Sequence, residues 1–203
     1  MDNACMRALT YGLFVICARE GDKDNGCITN TVGQVTTSPN QITLAVNKDN
    51  YTHGMIERTG QFSVSILSEK ADFSLFQRFG FHSGRDTDKF AGFSGAKRAE
   101  NGICYVTEGT NAYLCAKVTG KVDMGSHTLF LAEVTEGEVL SKDPSATYAY
   151  YHSNIKPKPA STSKKTVWRC VICGYEYEGE ELPEGFVCPI CKHGAEDFEK
   201  ITK

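Results

Sequence analysis

Trp168-Arg169-Cys170-Val171-Ile172-Cys173-Gly174-Tyr175 and Phe186-Val187-Cys188-Pro189-Ile190-Cys191 carry two C-x₂-C pairs separated by 14 residues. Four thiolates at that spacing can converge on one tetrahedral ion. Spacing alone leaves zinc and a single iron equally open, because both accept an S₄ tetrahedron. Trp168, Tyr175, Phe186 and Phe198 give the segment 167–203 a small apolar core. A piece of that size does not fold on its core alone, so the metal is expected to staple it. Gly174 follows the first pair and permits the positive φ of a tight turn that aims backbone N–H groups at sulfur. Lys192 holds the corresponding place after the second pair.

The run from Trp168 to Cys191 resembles a rubredoxin, in the short form with an abbreviated loop between its cysteine pairs, as in the rubrerythrin tail. The resemblance implies one iron held by Cys170, Cys173, Cys188 and Cys191. Lys192 departs from the glycine of many rubredoxins. Such a tetrathiolate has no open coordination position, so its chemistry is one-electron transfer.

Upstream, residues 154–166 hold two prolines, four lysines and small polar residues, the composition of a linker. Thirteen residues reach about 45 Å at full extension. Charge divides along the same lines. Residues 1–153 carry 14 basic and 17 acidic groups, 154–166 carry 4 and none, and 167–203 carry 4 and 8. The terminal module is therefore acidic and follows a basic stalk, which suits a soluble redox partner met by electrostatic steering. No Lys/Arg block is interleaved with aromatics, so no nucleic-acid surface is expected. The opening residues lack the pattern of a signal peptide, and no apolar run is long enough to span a membrane. Cytoplasmic location is the expectation. Nine cysteines then point to metal or redox chemistry rather than a disulfide framework.

The remaining 1–153 alternates apolar and polar residues between turn signals, the pattern of half-buried antiparallel strands. Ile42, Leu44 and Val46 share one face, as do Phe62, Val64 and Ile66, and again Phe130, Ala132 and Val134. Gly21 to Gly26 should turn a hairpin. Two segments have helical spacing: Thr52 can cap one bearing Met55 and Ile56, and Asp72 one bearing Leu75, Phe76 and Phe79. Cys17 and Cys115 lie in apolar runs and should be buried. A mainly β fold results, a barrel with short helices. Neither G-x-G-x-x-G nor a Walker loop occurs, which excludes a Rossmann or P-loop nucleotide site.

The stretches Gly26–Thr36 and Asn47–His53, with Pro39 between them, resemble the flavin reductase-like, FMN-binding split-barrel family of flavoredoxins and ferric reductases. The likeness runs from about Thr10 to Tyr151. It implies FMN contacts at Thr29, Asn30, Thr31, Val32, Gln34, Asn47, Lys48, Asn50, Tyr51 and Thr52. It also implies Lys89, within Ser83–Phe90, reaching the flavin phosphate or ribityl chain, and His127 near the flavin face where a nicotinamide docks. No catalytic side chain is assigned beyond His127 as a candidate. The combination with a rubredoxin implies a homodimeric electron carrier: FMN takes hydride from NADH or NADPH and passes single electrons to the iron. A flavo-diiron oxygen or nitric oxide reductase is the implied acceptor. A carrier without nicotinamide activity and a zinc-ribbon binding module on a flavin-binding barrel are the alternatives.

Overall fold

The computed structural model describes residues 2–157 and 166–202; the middle of the expected linker, 158–165, lies outside the described residues. The chain divides into two units, Met1–Pro157 and Lys158–Lys203.

In the first unit the strands run β1 (Phe14–Glu20), β2 (Lys23–Thr29), β3 (Val32–Thr37), β4 (Asn40–Asn47), β5 (Gln61–Leu67), β6 (Ala96–Arg98), β7 (Cys104–Val106), β8 (Thr110–Asp123) and β9 (His127–Val139). Helix α1 (Tyr51–Thr59) follows β4, and α2 (Phe73–Gly80) follows β5. Seven strands make one antiparallel sheet in the order β2-β1-β5-β8-β9-β4-β3. Strands β2 and β3 therefore occupy opposite edges, yet only Asn30 and Thr31 separate them. So short a connection spans about 11 Å at most. The sheet must roll until its edges approach, which makes a barrel split between β2 and β3. Register shifts in the long β8–β9 pair, at Cys115/Ala116 and Val118/Gly120, supply the bulges that let these strands curl.

The barrel interior is the expected one. Ile42, Leu44, Val46, Phe62, Val64, Phe130 and Ala132 pack together with Phe14, Ile16 and Ala18 of β1, and Met55 and Ile56 plug the core from α1. The other face of β1 is also buried, with Val15 and Cys17 against Leu75, Phe76 and Phe79 of α2. Full burial of such a side chain contributes about 1.5–3 kcal/mol. Asp72 caps α2 as expected, its carboxylate accepting from the Ser74 N–H at 2.8 Å. At α1 the cap is Asn50 rather than Thr52: Asn50 Oδ1 accepts from the Thr52 N–H at 3.0 Å, and Thr52 is fully buried inside the first turn. The hairpin turn is also tighter than the sequence suggests. Glu20 pairs with Lys23, leaving Gly21-Asp22 as a two-residue loop with Gly21 at φ +58°.

After β9 the chain forms a helical turn from Tyr148 to Ile155. Tyr151 is buried against Phe76, ring centroids 4.5 Å apart, and Ile155 packs on the same core. Tyr151 and Ile155 thus seal the α2 side of the barrel, and residues 154–157 continue the first unit. The second unit is a three-stranded antiparallel sheet of β10 (Thr166–Cys170), β11 (Glu176–Glu178) and β12 (Phe198–Thr202), ordered β11-β10-β12. Its core gathers Phe198 with Trp168, Tyr175 and Phe186 around buried Cys170 and Cys188.

The split is clasped by Thr31. Its hydroxyl donates to the Ala45 carbonyl of β4 at 2.6 Å and lies 2.6 Å from the Thr29 hydroxyl at the end of β2. Thr31→Val keeps the shape and removes the clasp. It should cost about 1–2 kcal/mol, read as a lower urea midpoint with an unchanged m-value.

Candidate flavin and metal sites

The closure brings several of the sequence-derived flavin residues to one end of the sheet. Val32 pairs with Leu44 across β3–β4, so the Thr29–Thr31 loop lies beside the far end of β4, and Asn47 at that end pairs with His127 of β9. Asn50, Tyr51 and Thr52 start α1 directly after this strand. His127 Nδ1 lies 2.9 Å from the Ser126 hydroxyl, and the Asn47 side chain accepts from the Asp49 N–H at 2.8 Å.

Around the first turn of α1 the structure adds residues that spacing did not single out. Arg85 donates to the Asp49 carbonyl at 2.8 Å and stands 5.9 Å from the centre of the Tyr51 ring, while the Lys23 ammonium stands 4.4 Å from it. Among the described residues neither cation is in an ion pair. Asn25 is buried and donates from its amide to the Thr52 hydroxyl at 2.8 Å. Gly84 lies so close to the Asn25 amide that no Cβ would fit, which presses the loop bearing Arg85 onto the start of the helix. A helix N-terminus flanked by two cations outside ion pairs attracts a phosphate through the macrodipole and charge. Arg85 lies in the same Ser83–Phe90 stretch as Lys89, and Lys23 lies in the Gly21–Gly26 hairpin segment. Asn25 had a usable signal, since asparagine is disfavoured within a strand.

Three of the residues implied for flavin have other partners or surroundings in the structure. Lys89 is 4% exposed, and its ammonium donates to the carbonyls of Gly26 at 2.8 Å and Phe79 at 3.0 Å. Burial lowers its pKa, against the pull of the nearby Cys27 and Cys17 thiols. A buried ammonium needs such acceptors, and here they join the end of α2 to β2 rather than reach outward. Lys48 pairs with Asp123 at 2.7 Å and lines a separate cavity of about 660 Å³ with His53, Glu57 and Lys121. Gln34 is exposed farther along β3. With Val32 it borders an apolar groove of about 460 Å³ that includes Phe14, Ile66, Leu114 and Val139.

In the second unit the four sulfurs lie within 4.8 Å of one another, with Cys170–Cys191 at 3.6 Å and Cys173–Cys188 at 3.5 Å. Metal–sulfur bonds of about 2.3 Å in a tetrahedron imply sulfur separations of roughly 3.8 Å, so the donor set fits one ion. Burial raises the Cys188 thiol, but the N–H groups of Cys191 and Ile190 and the neighbouring sulfurs outweigh it and hold this thiol below its ordinary pKa. Cys17 and Cys115 are fully buried, as expected.

A split barrel with two cations at the start of α1, followed by a separate tetrathiolate module, makes a two-domain protein with one candidate flavin site and one candidate metal site. Residues 6–158 match the flavin reductase like domain, and residues 168–199 match the rubrerythrin, rubredoxin-like domain. A high molecular weight rubredoxin of Moorella thermoacetica is 39% identical over 99% of this chain and 100% of its own length. A ferric-chelate reductase (NAD(P)H) of Archaeoglobus fulgidus is 36% identical, covering 80% of this chain and 96% of its own. Among solved structures, the NADH:FAD oxidoreductase SgcE6 of Streptomyces globisporus, in complex with NAD and FAD fragments, superposes with a TM-score of 0.64 at 21% identity, covering 80% of this chain and 96% of that one. The chain belongs to the flavin reductase-like family, in the form with a C-terminal rubredoxin domain that the high molecular weight rubredoxins share.

Lys89→Met leaves two buried carbonyls without their donor and should lower stability by about 3 kcal/mol, measured by denaturant titration of the flavin-free protein. A lysine serving only a flavin phosphate would weaken flavin binding and leave that stability unchanged.

Proposed function

We propose that this chain is a flavo-rubredoxin in which FMN, bound at the split edge of the barrel, takes hydride from NADH or NADPH. Single electrons then leave through the Fe(Cys)₄ centre to a soluble partner. The observation that carries the reading is the start of α1, where Asn50, Tyr51 and Thr52 meet Arg85 and Lys23 beside the Thr29–Thr31 loop. Bound flavin supplies the exchange between a two-electron hydride donor and a one-electron acceptor. The residues bind and orient it. Arg85, Lys23 and the first turn of α1 hold the phosphate. Thr29, Asn30 and Thr31 present hydroxyl and backbone groups along the ring edge, and His127 stands on the side where the nicotinamide docks. Asn47, Val32 and Gln34 border the same strand pair, and Lys48 and Lys89 act behind the site through the contacts described above.

The ferric-chelate reductase of Archaeoglobus fulgidus, whose name includes NAD(P)H, supports a nicotinamide donor. A putative diflavin flavoprotein of Nostoc matches 64% of this chain over 22% of its own length at 30% identity. That supports a flavoprotein as the acceptor, and the family resemblance points to a flavo-diiron oxygen or nitric oxide reductase. The protein works in the cytoplasm, as a homodimer, and no described helix is long and apolar enough to cross a membrane. A carrier that receives its electrons from another reductase is the second reading.

An anaerobic spectrum should contain flavin and ferric-thiolate bands, and both should bleach on adding NADH or NADPH. Absence of flavin sinks the proposal, and bands that respond to dithionite but to neither nucleotide favour the second reading. Arg85→Ala should raise the FMN dissociation constant about tenfold, a loss of about 1.4 kcal/mol, in a fluorescence titration of the apoprotein.

A further inference from the structure

The two cysteine turns of the second unit repeat each other bond for bond. Gly174 N–H donates to the Cys170 carbonyl at 2.9 Å, and Lys192 N–H donates to the Cys188 carbonyl at 3.0 Å. Cys170 N–H donates to the Tyr175 carbonyl, and Cys188 N–H donates to the His193 carbonyl, each at 2.8 Å. The next N–H groups reach sulfur, Tyr175 to Cys173 and His193 to Cys191. Each turn depends on one residue in the left-handed region, Gly174 at φ +77° and Lys192 at φ +62°.

Glycine enters that region without cost, whereas in any other residue the Cβ crowds the following carbonyl oxygen. Asparagine and aspartate tolerate it better than lysine does. Among the described residues Lys192 is the one non-glycine with positive φ. The hydrogen bonds of the turn do not need its side chain, since Gly174 supports the same set without one. What lysine adds is charge. Its side chain is exposed, and among the described residues it has no ion-pair partner. Arg169, the other cation next to a cysteine ligand, differs, because the strand register sets it opposite Glu176 on one side and Glu199 on the other.

We propose that Lys192 tunes the electron affinity of the metal centre: a cation kept beside Cys191, at the expense of backbone strain, raises the reduction potential of the iron. The inference rests on the four thiolates holding iron. Four thiolates around ferric iron carry a net negative charge, and the one electron that converts ferric to ferrous iron adds to it. No bond forms or breaks, and no proton moves. A fixed positive charge therefore stabilises the reduced form more than the oxidised one, and because the lysine is exposed the effect weakens as salt rises.

The test uses the full chain with iron bound and four proteins: wild type, Lys192→Arg, Lys192→Gln and Lys192→Gly. Optical redox titration with dithionite and mediators reads the potential at low and high salt, and thermal unfolding reads stability. Lys192→Gln keeps the strained backbone and removes the charge, so its potential should fall with little change in melting temperature. Lys192→Gly should show the same fall with a higher melting temperature, and Lys192→Arg should keep the wild-type potential. Raising the salt should shrink the differences. Unchanged potentials in the Gln and Gly variants, with the ferric-thiolate band present, would overturn the inference. Equal falls in all three variants would overturn it as well, by pointing to geometry instead of charge. Wild-type protein without that band would overturn the iron assignment and the inference with it.

Discussion

A two-residue link between strands at opposite edges of one sheet is the constraint on which the first unit depends. Because Asn30 and Thr31 must join β2 to β3, the sheet has no flat solution. Rolling it creates the interior that Phe62, Phe130 and Met55 fill. It also sets the Thr29–Thr31 loop beside the end of β4, where α1 begins. Closure and site are therefore one event: the Thr31 hydroxyl that ties the loop to Ala45 also fixes the position of the loop's polar edge.

Much of this was legible in the sequence, for identifiable reasons. The alternation at Ile42, Leu44 and Val46 survives because these strands bury one face, so periodicity reports orientation directly. Strand β1 follows another logic. Buried on both faces, it reads as a continuous apolar run and says little about which residue points where. The cysteine pairs were decisive because metal geometry turns sequence spacing into distance. The flavin residues were less so. Polar side chains at strand ends do many jobs, and the likeness that implies Lys89 and Lys48 as flavin contacts does not show what each side chain meets. A buried ammonium seeks carbonyls, and Asp123 comes beside Lys48 only through a contact 75 residues away. No local pattern encodes either partner. The same holds for Arg85, which reaches the start of α1 because Gly84 lets its loop settle on Asn25.

The two units solve the problem of size differently. The barrel has two apolar cores on either side of β1, enough buried surface to hold its polar edge rigid. The smaller unit packs Trp168, Tyr175, Phe186 and Phe198 beside four sulfurs that lie within 4.8 Å of one another, so one ion held there would also tie the unit together. The barrel's two cores, by contrast, are closed by its own side chains.

Strand β1 carries a further consequence. A one-residue slip against β2 would exchange Phe14, Ile16 and Ala18 for Val15 and Cys17, apolar on either face, so polarity offers almost no resistance to mispairing. Shape must supply it. An added Cβ at Gly26 would come within 3.1 Å of both Cys17 Sγ and Phe79 Cδ1. A side chain opposite Cys17 would crowd both Cys17 and the seated Phe79, and the Gly21-Asp22 turn counts the strands into that alignment. The alignment of the first hairpin is thus favoured by a missing methyl group, a steric preference in a place where hydrophobicity has none.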